Sequence, residues 1–424
     1  MPAEIRRRKL NNGLTVLTER MPDVRSVCIG IWLKKGSRDE AKRLNGISHF
    51  IEHLVFKGTE SRNARELALA MDSIGAQFDA FTSKEYTCFY ARVLDQHLAT
   101  TIDLLSDIVQ RPLFDPTELE RERKVVLEEI QMVDDSPEDV LYDLFSESFY
   151  PRHALGRPIQ GTADTVGGFS RRQLLNFFRD SYRPENMLVV AAGNLDHKDV
   201  SARIGRAFSG LAPSEAAGNG RSSTPRTKGG LVTRSKKELA QLHLLLGLPV
   251  FPSNERDRYA LHVLNTLLGG TMSSRLFHKI REEHGLAYSV YSAVNGFIDT
   301  GFLAVYAGTT PSKGKDVIRL VMQELVDLRD NGPNVQELDV AKEHLKGSLM
   351  LALESTSNRM SNLARQEIYQ KRKRSLAATL ASVDAVTPER VHRMARELTD
   401  DADVALAAVG RVGQLKLPKG ALRL

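Results

Sequence analysis

Asn45-Gly46-Ile47-Ser48-His49-Phe50-Ile51-Glu52-His53-Leu54-Val55-Phe56-Lys57-Gly58 carries two patterns on one helix. Ile47, Phe50, Ile51, Leu54 and Val55 recur at i, i+3, i+4, i+7 and i+8, which is the spacing of an amphipathic helix. Lys57 suits its last turn and Gly58 its stop. At about 100° per residue the five apolar side chains form one stripe, and His49, Glu52 and His53 point the other way. The two histidines stand one turn apart, so both imidazoles can grip one metal ion. Glu52 lies beside them, placed to take a proton from a metal-bound water. The competing reading is two surface histidines near a surface glutamate, and the motif alone leaves it open. A core role fits poorly, because the apolar stripe is complete without these residues.

Two histidines rarely suffice for a catalytic zinc, which takes three protein ligands and a water. The third ligand is therefore expected from another helix. Phe114-Asp115-Pro116-Thr117-Glu118 reads as a helix start, with Asp115 as N-cap, Pro116 at the first position and Glu118 at the third. The helix would run to about Val133, with Leu119, Val126, Ile130 and Val133 as its buried stripe. Glu122 and Glu129 are two turns apart and flank that stripe on one side, whereas Glu128 points almost directly away. Helix geometry favours Glu129 over Glu128 as the inward-reaching ligand. Glu122 suits a carboxylate that orients a histidine. Without the histidine pair, these acids would read as an ordinary charged helix flank.

Working outward, 424 residues suggest two or three domains, and 42% hydrophobic with 26% charged residues is ordinary for a globular chain. The net charge of +6 could favour acidic partners, but the basic residues are interleaved with acids. Lys371-Arg372-Lys373-Arg374 is the nearest thing to a basic block, and no aromatic-rich basic module accompanies it, so no nucleic acid partner is expected. Cys28 and Cys88 sit in apolar or aromatic surroundings and read as two buried thiols. Their low number fits a reducing compartment. Arg6-Arg7-Arg8 is followed by no apolar run of a secretory signal, and Glu4 with the strand-like alternation behind it argues against an organellar presequence. No apolar run approaches the ~20 residues of a membrane helix. No membrane partner is expected.

Residues 211–229 are rich in Gly, Ser, Pro and Ala and read as a linker. The expected division is 1–211, a linker at 212–229, and 230–424. The halves share a faint order of elements. Val27 to Leu33 and Gln241 to Leu248 are strand-like. Arg38-Asp39 and Arg256-Asp257 precede helices that end at Gly58 and Gly269. Strand pairs follow at Gln77 to Val93 and Ala287 to Ala307. This order suggests a duplicated unit. Each half reads as an α+β layer pair, with helices on a mainly antiparallel sheet.

These residues resemble those of the insulinase and pitrilysin family of zinc peptidases, and within it the mitochondrial processing peptidase β-subunit and its single-chain bacterial relatives. The family motif is matched by His49-Phe50-Ile51-Glu52-His53, and Glu129 stands 76 residues after His53, where the family places its third ligand. Gly75 to Glu85 resembles the family's substrate-binding edge strand, with Asp79, Ala80, Phe81 and Thr82 at its centre. Family members often have Asn at the place of Asp79, which puts fine specificity in doubt. Leu155-Gly156-Arg157-Pro158-Ile159-Gln160-Gly161 is also family-like. Arg281 and Tyr288 match the family's Arg and Tyr pair that reaches the substrate across a cleft.

The resemblance implies two homologous halves closing like a clam around one Zn2+ per chain. It implies peptide hydrolysis with Glu52 as the base and Tyr288, with Arg281, stabilising the oxyanion. It also implies a peptide bound as an added strand, self-sufficiency as a homodimer, and a cytoplasmic location. The main rival is a non-catalytic scaffold or assembly subunit of the same family; such members typically lose part of the metal motif, which is intact here. A metal hydrolase acting on something other than peptides is the second rival.

Overall fold

A computed structural model of the chain describes residues 4–212, 224–370 and 374–424. Residues 213–223 of the expected linker, and Lys371, Arg372 and Lys373 of the basic block, lie outside the described residues. The first sheet comprises β1 (Glu4–Lys9), β2 (Thr15–Arg20), β3 (Ser26–Leu33), β4 (Gln77–Thr82), β5 (Thr87–Leu94) and β6 (Met187–Gly193), in the spatial order β1-β2-β6-β3-β5-β4. Its neighbours are antiparallel except for the pair β2 and β6. The second sheet comprises β7 (Gly230–Ser235), β8 (Leu242–Val250), β9 (Ala287–Gly296), β10 (Gly301–Thr309) and β11 (Ala405–Gly410), in the order β7-β11-β8-β10-β9. Only β7 and β11 are parallel.

Without β1, the two sheets have the same connectivity. The run β2-β6-β3-β5-β4 maps onto β7-β11-β8-β10-β9, and in each the strands that come first and last along the chain, β2 with β6 and β7 with β11, pair in parallel. The faint repeat in the sequence is thus a repeat of topology, and the fold is α+β.

Both faces of each sheet are covered, which adds a third layer to the expected two. Along β3, Val27, Ile29, Ile31 and Leu33 join the main helical core, while Cys28 and Trp32 join a second cluster on the opposite face. Along β8, Leu242, Leu244, Leu246, Leu248 and Val250 face one core and Leu245 the other. Burial on both faces explains why these strands read as continuous apolar runs rather than as an alternation. Cys28 and Cys88 are buried thiols outside any disulfide, and burial pushes Cys28 up to about 11.

The described residues fall into two compact units. One lies within Met1–Gln131, Arg157–Ser222 and Leu351–Lys373, the other within Met132–Gly156, Ser223–Met350 and Arg374–Leu424. The stretches 1–211 and 230–424 thus supply most of each unit, with one segment exchanged in each direction. In the first unit, the helix Thr356–Arg365 brings Met360, Leu363 and Ala364 against Trp32, Leu188 and Val190, and Trp32 Nε1 donates to Met360 Sδ at 3.0 Å. In the second unit, the helix Pro137–Phe149 brings Val140, Leu141, Phe145 and Phe149 against Leu245, Phe302 and Ala407. Gly247 on β8 has to be glycine here, because a Cβ would collide with the Phe145 ring. Among the described residues no helix is long and apolar enough to cross a membrane.

Because Phe145 fills the face of β8 that only a glycine leaves open, Phe145→Ala is expected to destabilise the second unit by about 3–5 kcal/mol. Urea-induced unfolding followed through the second unit would measure it. A loss below about 1 kcal/mol would contradict this packing.

Candidate active site

The motif helix spans Ile47–Leu54, and its apolar stripe is buried as the periodicity predicts, with Ile47, Phe50, Ile51, Leu54 and Val55 each no more than 1% exposed. It stops one turn earlier than the Gly58 expected from sequence. Lys57 N–H closes back on Leu54 O at 3.0 Å, Gly58 turns with φ +119°, and Thr59 bridges to Pro112. The first turn is held from outside the helix. Glu40, buried, accepts from Gly46 N–H at 2.8 Å, Ser48 N–H at 2.9 Å and Asn45 Nδ2 at 3.2 Å. A carboxylate at these otherwise unpaired donors also suits the helix dipole. Gly46, at φ +94°, and Gly161 bring two stretches of backbone together so closely that a Cβ on either would strike the other stretch. That contact gives the Arg157 to Gly161 part of the family-like run a structural purpose.

The second helix spans Pro116–Asp135, and Asp115 Oδ1 caps it by accepting from Thr117 N–H at 2.8 Å and Glu118 N–H at 3.2 Å. Leu119 and Val126 are buried, Ile130 and Val133 half-buried, and Glu128 is exposed, which leaves Glu129 on the inner flank. Glu129 Oε2 lies 3.4 Å from His53 Nε2 and 3.7 Å from His49 Nε2. Ligand atoms of His49, His53 and Glu129 all lie within 4.8 Å of one another. These separations are too long for good hydrogen bonds. They match three donors around a tetrahedral ion at about 2.0–2.1 Å, which stand roughly 3.4 Å apart. Two imidazoles and one carboxylate are a donor set of catalytic zinc, with a fourth position left for water or substrate.

The electrostatics suit that use. Burial, reinforced by the neighbouring His53, lowers His49 to about 4, so its ring stays neutral and keeps a lone pair. Burial raises Glu52 to about 7 against the lowering effect of a hydrogen bond from Thr82. Glu122 is buried, and its Oε2 lies 3.2 Å from His53 Nδ1, in the place of an orienting carboxylate.

Thr82 Oγ1 donates to Glu52 Oε2 at 2.5 Å, a side-chain contact that the resemblance to a substrate-binding strand does not include. Thr82 ends β4, the edge strand of its sheet. Ser83 N–H bonds Tyr86 O at 2.8 Å at the hairpin's close, so by antiparallel alternation the outward N–H and C=O groups belong to Phe78, Ala80 and Thr82. The Asp79 and Phe81 backbone groups turn inward to β5; the Asp79 side chain accepts from Tyr90 OH through Oδ2 at 2.9 Å, and its Oδ1 accepts the outward Ala80 N–H at 2.8 Å. Arg281 and Tyr288 belong to the second unit. The Arg281 guanidinium lies 4.7 Å from the Tyr288 ring and 4.8 Å from the Phe277 ring, Nη1 donates to Tyr288 O at 2.9 Å, and Tyr288 is 76% exposed.

Two family models match this chain, one described as Insulinase (Peptidase family M16) over residues 15–163 and one as Peptidase M16 inactive domain over residues 168–345. A Bacillus subtilis protein named uncharacterized zinc protease YmxG is 42% identical over 97% of this chain and 99% of its own length. A Streptomyces coelicolor uncharacterized zinc protease is 41% identical over 93% of this chain and 87% of its own. A protease from Helicobacter pylori has the same fold, with a TM-score of 0.91 at 23% identity, covering 96% of this chain and 100% of that one. The match described as inactive, residues 168–345, lies wholly outside residues 49–129, which contain the His49, His53 and Glu129 cluster. With the motif, the convergent ligands and these relatives together, the chain belongs to the insulinase family of zinc peptidases, peptidase family M16.

Proposed function

We propose that this protein is a zinc-dependent endopeptidase that hydrolyses peptide bonds in unfolded or short peptides. One observation carries the reading: the His49, His53 and Glu129 ligand atoms converge beside a carboxylate, Glu52, that is tied to an open sheet edge through Thr82. A zinc ion held by His49, His53 and Glu129 supplies Lewis acidity toward water and the peptide carbonyl.

The chain's own residues supply the rest. Thr82 occupies Oε2 of Glu52, and among the described residues no group bonds Oε1, which is left to accept a proton from the attacking water and return it to the leaving amine. The peptide adds as a strand to β4, pairing with the outward groups of Phe78 and Thr82 and with the Ala80 C=O, and passing Glu52 at the strand's end, while the Ala80 N–H stays with Asp79 Oδ1. Backbone pairing tolerates varied side chains but demands an extended chain, hence unfolded or short substrates. Arg281 and Tyr288 enter this proposal as substrate-binding groups. Tyr288 is exposed and the Arg281 guanidinium lies over its ring, which leaves the phenol able to donate a hydrogen bond.

Glu52→Gln is expected to retain zinc and to lose about 10²–10⁴-fold in cleavage of a quenched peptide library. Full activity in a zinc-loaded Glu52→Gln protein would refute the assignment.

Glu52 also marks the metal-free protein. Its carboxyl is raised from 4.5 to about 7 on folding, so the folded state holds the extra proton between those pH values. Its contribution to stability therefore declines as pH rises through that window. The stability of the metal-free wild type relative to metal-free Glu52→Gln is expected to fall from about pH 4.5 to 7, read from urea midpoints at stepped pH. A flat difference would contradict the raised value.

A further inference from the structure

Lys57 takes no part in the steps above, yet its ammonium reaches the carboxylate on which His53 leans. Glu122 is only 5% exposed. Its Oε1 lies 2.8 Å from Lys57 Nζ and its Oε2 3.2 Å from His53 Nδ1, and among the described residues no other side chain bonds this carboxylate. Each oxygen thus has one partner, and both partners come from the same stretch of chain, four residues apart. An ionised carboxylate can only accept. Nδ1 of His53 is then the donor, and Nε2 presents its lone pair toward Glu129, 3.4 Å away.

The base of Lys57 is itself fixed. Its N–H bonds Leu54 O, and the following residue, Gly58, accepts from Leu113 N–H at 3.1 Å. The lysine side chain therefore starts from a set point and spans to a set carboxylate. An ion pair between two exposed groups contributes little. This pair differs because its acid is buried, and losing one partner would leave that charge with a single contact.

We propose that Lys57 is a positioning residue of the metal centre. By holding Oε1 of Glu122 it keeps Oε2 on Nδ1 of His53 and so aims Nε2 at the metal position. This rests on the reading of His49, His53 and Glu129 as zinc ligands, and it adds a function for a residue that touches none of them.

The test is the zinc affinity of the full chain, measured by competition with a fluorescent chelator of known affinity, so that no peptide hydrolysis enters the readout. Lys57→Met is expected to weaken zinc binding about tenfold, the scale typical of partners that orient a metal-bound histidine. Lys57→Arg, which keeps the charge and the reach, is expected to recover affinity to within about threefold of wild type. In a Glu122→Gln background, Lys57→Met is expected to add less than about twofold, because the lysine acts through that carboxylate. Wild-type affinity in Lys57→Met would overturn the proposal. So would an undiminished effect of Lys57→Met in the Glu122→Gln background, since that would mark a general structural role. Failure of the wild type to take up one zinc per chain is a separate result, and it would overturn the metal centre and this proposal together.

Discussion

The chemistry of the first unit is set by the rotation of one eight-residue helix about its own axis. Five apolar side chains bury to within 1% along one side of it. At about 1.5–3 kcal/mol each, they hold that rotation with on the order of 10 kcal/mol. A rotation by one residue, about 100°, would put histidine into the core and isoleucine into the metal site. Three further contacts fix the helix along its axis and at its ends: Glu40 on its first turn, the close backbone approach at Gly46 and Gly161, and the early stop that places Lys57 against Glu122. In the metal-free chain the same burial that seats the helix raises Glu52 and lowers His49, which keeps the His49 ring neutral with a lone pair to offer a metal ion.

The two units share one sheet topology, but only the first carries the ligand set among the described residues. Where the first unit has the motif helix, the second has Arg258–Gly269, a helix of good apolar packing with no pair of histidines one turn apart. Duplication therefore repeats a way of packing helices on a sheet, not a site. Each sheet is closed on its second face by a helix from elsewhere in the chain, Thr356–Arg365 for one and Pro137–Phe149 for the other.

Much of this was legible in the sequence, for physical reasons that can be named. The motif helix was readable because its period is strict. Glu129 was preferred to Glu128 because helix geometry places only one of them on the inner flank, and the structure places Glu129 by the histidines and leaves Glu128 exposed. Asp115 and Pro116 marked a helix start with local chemistry that needs no tertiary context. What escaped depends on distance along the chain. An amphipathic helix advertises an apolar stripe but not which sheet will cover it, so the exchanged segments could not be assigned. Glu40 and Lys57 sit in stretches where an acid and a base read as surface charge, and only folding shows which donors and acceptors they meet. The side-chain bond from Thr82 to Glu52 is of the same kind, since a strand pattern gives the face of a threonine but not its partner. The helix stop at Leu54 instead of Gly58 came from bonds to a distant segment, Pro112 and Leu113, outweighing a local glycine signal.

The most direct measurement is anomalous X-ray diffraction at the zinc edge from crystals of the zinc-loaded protein. One strong peak per chain is expected, at about 2.0–2.2 Å from Nε2 of His49, Nε2 of His53 and a carboxylate oxygen of Glu129. A peak bound elsewhere, or one that leaves Glu129 out of its coordination, would contradict a zinc centre built from these three residues.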